Sequence, residues 1–215
     1  RFEARYKGHL AGVMIFTVPN TFSKLIGEDT FKLEKLISRG ACISWSPKNL
    51  NSWLVMQSIK WMIANTEFRL FTAYSDTEAK ELGAIYQACS FIYLGKTSGS
   101  TLQYLDPNNE KIGWFNDRHF RHKSMYKKYA DKLGIPADVW KGYMKKYSPD
   151  WTIIPEDIRI KIKNEIISYR KTCKVRTTQP KHKYVYIKGR NKNETKKLMR
   201  LFDLNNKAQE YPKIR

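Results

Sequence analysis

Between Phe31 and Leu94 the chain alternates strand-like apolar runs with helical patterns, and that order leaves few folds open. Phe31 to Trp45 (FKLEKLISRGACISW) begins with alternation, Phe31 and Leu33 against Lys32 and Glu34, and continues as an apolar strand through Cys42 and Ile43. Gly40 inside it marks a bulge or a close backbone approach. Ser46-Pro47 reads as a hydroxyl cap followed by proline at the first helical position. The helix expected from there to about Ala64 is apolar on most sides and reads as a buried crossover. Arg69 to Tyr74 (RLFTAY) is a strand. Ser75-Asp76-Thr77 caps a second helix, expected from about Glu78 to Cys89, and Phe91 to Leu94 is a strand closed by Gly95. Strand, helix, strand, helix, strand implies parallel crossovers and a mixed sheet.

Other elements attach to this frame. Phe2 to Tyr6 and Leu10 to Val18 read as a hairpin about Lys7-Gly8-His9. Residues 96–180 carry no long apolar strand, and helical pieces are expected at 121–133, 136–147 and 155–170. Lys183 to Lys188 (KYVYIK) alternates as one more strand, a neighbour of 91–94, and a short helix is expected near 193–203. The organisation expected is a core over 1–95, a basic insertion over 96–180, a final core strand within 181–190 and a basic tail over 191–215. The fold class is α+β: a twisted mixed α/β sheet flanked by helices, with a long, mainly helical insertion before the last strand. The chain opens at Arg1 inside a strand-like pattern, so a preceding segment is expected.

Charge separates the two halves. Residues 1–95 hold 11 Lys plus Arg against 8 Asp plus Glu, and residues 96–215 hold 29 against 12. A basic region interleaved with Tyr, Trp and His suits a polyanion with stackable bases. An acidic membrane surface, an acidic protein or a merely solvated face are the other readings. No run of 18 apolar residues exists, so no span is expected. Cys42, Cys89 and Cys173 form neither a disulfide framework nor a zinc pattern, and with no signal peptide at the start the expected setting is a reducing cytoplasm.

Several residues are candidates for chemistry. A helix N-terminus beginning near Ser46 offers free N–H groups and a positive dipole end, and Lys48, Asn49, Asn51 and Ser52 add donors there, a seat for a pyrophosphate. Arg39 lies in a strand that otherwise reads apolar; it is a buried cation seeking a partner or phosphate, or it marks an exposed face. Arg118, His119, Arg121, His122 and Lys123, with Lys127 and Lys128 beyond, would neutralise phosphates, or form a solvated face. Trp114, Phe115, Tyr126 and Tyr129 stack on an extruded base or belong to a core. His119, His122 and His9 give a weak pattern for a metal ion, and no metal is assigned.

The run Thr77-Glu78-Ala79 … Ile85-Tyr86-Gln87-Ala88-Cys89-Ser90-Phe91 after a strand resembles the GNAT acyltransferase superfamily, with Ala79, Ile85, Tyr86 and Phe91 at matching places and Ser90 where glycine is usual. The Gly-rich phosphate loop of that superfamily is replaced by Ser46 to Ser52, which has no glycine, and its first strand and helices are absent. A narrower resemblance, over roughly residues 10–190, is to the phage Mom family of DNA adenine-modification proteins, which are GNAT-like. It is carried by LISRGACIS (36–44), FTAYSD (71–76), GAIYQACSFIYLG (83–95) and KHKYVYIKG (181–189), with DRHFRHKSMY (117–126) between the last two. The resemblance implies conversion of adenine N6 in double-stranded DNA to a carbamoylmethyl adduct that protects phage DNA from host restriction. It also implies a coenzyme A thioester (acetyl-CoA type) donor lying against Ile43, Ser44, Trp45, Ser46, Lys48, Asn49, Asn51 and Ser52. Tyr86 would protonate the leaving thiolate, Asp76 would orient the acceptor amine or take its proton, and Arg39 would assist. Lys181 and Lys183 join the basic stretch as nucleic-acid contacts. The alternatives are a GNAT N-acetyltransferase acting on a small amine, protein or RNA, and a non-catalytic DNA-binding protein on a GNAT scaffold. Monomer and homodimer both remain open.

Overall fold

The computed structural model describes residues 1–98 and 101–213. The tail expected over 191–215 therefore runs past the described residues at 214. Contacts group the chain into two units, residues 1–98 with 180–215, and residues 99–179.

The elements follow in chain order. The first unit opens with β1 (Phe2–Tyr6) and β2 (His9–Thr17), then β3 (Glu34–Cys42), α1 (Leu50–Asn65), β4 (Leu70–Ser75), α2 (Ala84–Ala88) and β5 (Ile92–Lys96). The second unit holds β6 (Leu102–Leu105), β7 (Phe115–Asn116), α3 (Lys123–Lys132), α4 (Ala137–Tyr143), α5 (Glu156–Thr172) and β8 (Lys174–Thr177). The chain then returns to the first unit for β9 (His182–Ile187) and α6 (Lys192–Asn205).

The first unit is a six-stranded mixed sheet in the order β1-β2-β3-β4-β9-β5. Lys7 and Gly8 both take positive φ (48° and 80°), the two-residue turn whose twist suits a hairpin. α1 makes the crossover between parallel β3 and β4, burying Leu54, Val55, Ser58, Ile59, Met62 and Ile63 at helical spacing. It is not buried all round, because Trp53 and Trp61 face solvent. Its stripe packs on Met14, Ile37, Phe71, Ala73, Phe91 and Tyr184. On the opposite sheet face, Leu198 and Phe202 of α6 cover Leu70, Val185 and Ile187.

Three local expectations are corrected. α1 starts at Leu50, not at Pro47, because Asn49 takes the left-handed conformation (φ 71°) and the Leu50 N–H bonds back to the Pro47 carbonyl in a turn. β3 begins at Glu34, preceded by a 3₁₀ turn over Glu28–Leu33. The second helix shrinks to Ala84–Ala88. The Asp76 carboxylate takes the Glu78 N–H in a local turn, and Lys80 and Gly83 lie at φ 56° and 66°, which a right-handed helix cannot contain.

In the second unit, β7-β6-β8 form a three-stranded antiparallel sheet over Tyr104, Phe115, Phe120 and Cys173. The sequence did not suggest this sheet, since its strands are short and β8 is exposed throughout. α3, α4 and α5 bury Met125, Tyr126, Tyr129, Trp140 and Ile162 together. Phe115, Tyr126 and Tyr129 are thus core, not base-stacking surface.

Arg69 clamps the first unit. Its side chain is almost fully buried, and two of the three guanidinium nitrogens find acceptors. Nε donates to Glu194 Oε1 (2.8 Å), and Nη1 donates to the Thr66 and Phe68 carbonyls (both 2.7 Å). It ties the end of α1, the start of β4 and the first turn of α6. Arg69→Met takes the side-chain donor from Glu194 Oε1 and from the Phe68 carbonyl, while Arg190 still reaches the Thr66 carbonyl. It is expected to destabilise the chain by about 3 kcal/mol in denaturant unfolding, and a loss within the few tenths typical of surface changes would contradict the clamp.

Candidate active site

β3 and β4 pair over only three positions, Glu34 with Leu70, Lys35 with Phe71 and Leu36 with Thr72. Beyond that point β3 stays with β2 to Cys42, and β4 stays with β9 to Ser75. The facing edges, 37–42 and 73–75, have no main-chain partner across the gap among the described residues. The closed end is held by Glu34, a buried carboxylate. Its Oε2 accepts from the Ser23 N–H (2.8 Å) and hydroxyl (2.9 Å), and its Oε1 accepts from Thr72 Oγ1 (3.0 Å).

The open end holds a cavity of about 350 Å³. Ile37 and Gly40 of β3, Asn51 of α1, Tyr74 and Ser75 of β4, and Tyr86 of α2 line it. Gly40 meets the expectation of a close approach, though the neighbour is a side chain: a Cβ there would lie 2.6 Å from the Met14 methyl. The register slip in β3 falls instead near Ser38, where Ile15 pairs with Arg39 and Phe16 with Ile37.

Tyr86 is aimed by its surroundings. Its ring packs 5.4 Å from both Phe91 and Tyr184. The Tyr184 hydroxyl and the Gln87 amide both donate to the Leu82 carbonyl, which fixes the entry to α2. Gly83, the N-cap, combines φ 66° with a Tyr184 ring so close that a Cβ would sit 2.5 Å from it. Burial, then the negative charge of Glu81, pushes the Tyr86 phenol up to about 12. The phenol therefore keeps its proton at neutral pH and is an acid by disposition. Burial also pushes Cys89 up to about 11 and raises Cys42, so neither thiol supplies a nucleophile at neutral pH.

Of the residues expected to seat the donor, Asn51 lines the cavity. The N–H groups of Asn51 and Ser52 have no acceptor among the described residues, and the first turn of this 16-residue helix carries no acidic side chain. Ser52 Oγ donates to the Asn49 carbonyl (3.0 Å), and Lys48 and Asn49 are exposed beside the helix start. Ile43 extends the β3 edge by donating to the Ala11 carbonyl, and the Ser46 N–H turns back to Ile43. Ser44 is exposed, and Trp45 leans on His9 (5.8 Å) and Tyr6 (6.4 Å), away from the cavity lining.

Asp76 and Arg39 fall outside the lining. Arg39 is exposed, so the argument from a buried cation fails and the exposed-face reading holds. Asp76 sits next to Ser75 but turns to the Glu78 N–H (3.0 Å) and to Lys181 Nζ (3.2 Å). Burial raises its carboxyl, and those partners outweigh it and hold it below the usual range, so it is a weak base. The carboxylate that does line the cavity is Glu81, which sequence reasoning missed. Its Oε2 accepts the Asp76 N–H (3.2 Å), and its main chain is bound by Asp76 and Ser75. No spacing rule marks Glu81; the two left-handed residues around it bring it back to the strand end.

The basic candidates divide. Arg118, Arg121, His122 and Lys123 line one cleft in the second unit, although 117–121 is a 3₁₀ turn and α3 starts only at Lys123, so no single helix face presents them. His119 turns inward against Phe115 (4.2 Å), and burial with the nearby His122 and Lys128 lowers its pKa. Lys127 pairs with Asp131 (2.8 Å), and Lys128 borders a different hollow. Lys181 is held by Asp76. Lys183 is half-buried opposite Tyr74, with a pKa lowered by burial. Among the described residues, no group of three His, Cys, Asp or Glu is placed to hold a metal ion. Among them also, no helix is long and apolar enough to cross a membrane.

Comparison with known proteins gives one family model: the Mom protein family, matching residues 4–147. No curated protein matches the chain.

The Tyr86 environment predicts a titration. The difference between the phenolate absorbance curves of the unmodified chain and Tyr86→Phe should contain no step at the ordinary tyrosine value of about 10. It should rise only near 12. A step at the ordinary value would mean that the phenol is not buried.

Proposed function

The chain belongs to the Mom protein family, and from that membership we propose that it is a DNA-modifying transferase that converts adenine N6 to a carbamoylmethyl adduct. The donor is a coenzyme A thioester, and the product shields phage DNA from host restriction. On this reading the protein works in the host cytoplasm, on double-stranded DNA.

One observation carries the proposal: the opening between β3 and β4 ends beside a half-buried, protonated phenol. Three features fit a thioester of this kind. Unpaired strand edges offer main-chain donors and acceptors to an amide-bearing arm. The free N–H groups of Asn51 and Ser52, at the positive end of α1 with Lys48 nearby, suit a pyrophosphate. Asn49 supplies, at φ 71°, the left-handed turn that glycines supply in Gly-rich phosphate loops.

A thioester supplies an activated carbonyl and a thiolate leaving group. In an acyl transfer the bond from N6 to the carbonyl carbon forms as the carbon–sulfur bond breaks, N6 loses a proton and the sulfur gains one. Such a transfer joins N6 to a carbonyl carbon, so the methylene link and amide nitrogen of a carbamoylmethyl group come from chemistry outside this step. Tyr86 holds the proton for the sulfur, and Glu81, on the same lining, is the carboxylate placed to receive the proton of N6. Adenine N6 is a poor nucleophile because its lone pair is delocalised into the ring. Orientation within the gap must therefore supply much of the acceleration. Inside a duplex N6 is out of reach, so the base is extruded before reaction.

Nucleoside mass spectrometry of plasmid DNA from cells expressing the protein tests the reading. A modified deoxyadenosine is expected, falling about 100-fold or more in Tyr86→Phe. Wholly unmodified deoxyadenosine would overturn the assignment.

A further inference from the structure

In the second unit lies a cleft of about 540 Å³, within the size range of sites that take nucleotide-sized ligands. Among the described residues, no acidic side chain lines it. Its lining combines cations, Arg118, Arg121 and Lys123, with aromatic rings, Tyr126, Tyr147 and Trp151. Arg121 is engaged by Asp117 (2.7 Å), whereas the guanidinium of Arg118 has no carboxylate partner among the described residues.

Local contacts tie down the segments that carry these rings. Tyr126 is buried and stands edge-on to Trp151, with centroids 5.6 Å apart, so it braces an indole that is itself 37% exposed. Tyr147 sits on a tight loop. Met144 bridges Pro149, the Lys145 N–H bonds to the Ser148 carbonyl, and the Asp150 N–H bonds to the Tyr143 carbonyl. The loop is anchored where Asp150 binds Lys145 (2.9 Å) and accepts from the Thr152 N–H and hydroxyl. The Tyr147 ring is 72% exposed, with Lys146 Nζ 5.1 Å from its centroid. The anchored loop thus presents a bare phenol ring to solvent on the lining that Arg118, Arg121 and Lys123 share.

We propose that this cleft holds an unpaired stretch of DNA strand, with an unstacked base against Trp151 and Tyr147 and the flanking phosphates on Arg118 and Lys123. Paired duplex presents no base faces, so rings in a cleft are wasted on it. A strand opened around an extruded adenine presents them. This inference rests on the DNA-modification reading for its substrate, and it adds a second base-binding site, distinct in sequence and unit from the cavity lined by Tyr86. An acidic peptide would use the cations and leave the rings idle.

Anisotropy titrations of the full chain test it, with a short oligothymidylate and a fully paired duplex of equal length. The oligothymidylate should bind more tightly. Tyr147→Ala, a change at an exposed ring that cannot upset the core, and Trp151→Ala should each weaken it about tenfold, with duplex affinity and salt slope unchanged. Arg118→Gln should weaken both ligands and flatten the salt slope. Aromatic changes that alter neither ligand, or both alike, would overturn the proposal. So would competition by polyglutamate or anionic phospholipid vesicles as strong as by oligothymidylate. The two readings separate cleanly. Unmodified plasmid DNA with the strand preference intact defeats only the transferase assignment, and modified DNA with no strand preference defeats only this inference.

Discussion

β3 has two neighbours and cannot satisfy both along its length. It pairs with β2 as far as Cys42 but with β4 only through Leu36. The β2–β3 register slips by one residue between Ile15 and Phe16, and such an extra residue bends a strand and increases its local twist. β4 is meanwhile held to β9 through Ser75. The two strands are pulled to opposite sides, and Glu34 fastens the end where they still meet. A buried sheet ordinarily pairs its backbone groups fully. Among the described residues, this one leaves two facing edges without partners at its centre, and a ligand with its own amides can complete them.

The rest of the site follows from that gap. α1 springs from its mouth, so the helix's free N–H groups arrive beside Asn51. The segment after β4 cannot continue as a helix, because Lys80 and Gly83 are left-handed, and it folds back to place Glu81 and then Tyr86 on the lining. Tyr184 on β9 secures this by holding the Leu82 carbonyl and filling the space over Gly83. Acid and carboxylate thus reach one cavity from a five-residue helix and the turn before it. Their environments differ in the useful direction, the phenol half-buried and the carboxylate exposed.

Much of this was legible in the sequence. The hairpin at Phe2–Thr17, the strands β4, β5 and β9 and the helices α3, α5 and α6 follow from apolar period and turn residues, and they lie within a few residues of expectation. Tyr86 was found through a family motif. What stayed hidden depends on backbone angles or on partners far along the chain. Asn49 at positive φ moved the start of α1, and Lys80 at positive φ dissolved most of a well-patterned helix, because propensity gives no sign of a left-handed lysine. β6, β7 and β8 are too short to show alternation. Arg39 looked buried because its strand is apolar, but the residues around it from Ser38 to Ala41 face outward at the opening. Tyr147 and Trp151 gained meaning only when a loop brought them to the cations of α3 and the preceding turn.

The central claim is that the unpaired edges of β3 and β4 cradle the donor. Amide hydrogen exchange, with and without coenzyme A, reads those edges directly. The account predicts slower exchange on binding, concentrated in residues 37–42, 73–75 and the first turn of α1, with the β1–β2 hairpin unchanged. Exchange in those segments that coenzyme A leaves untouched, at concentrations saturating for any other signal of binding, would contradict it.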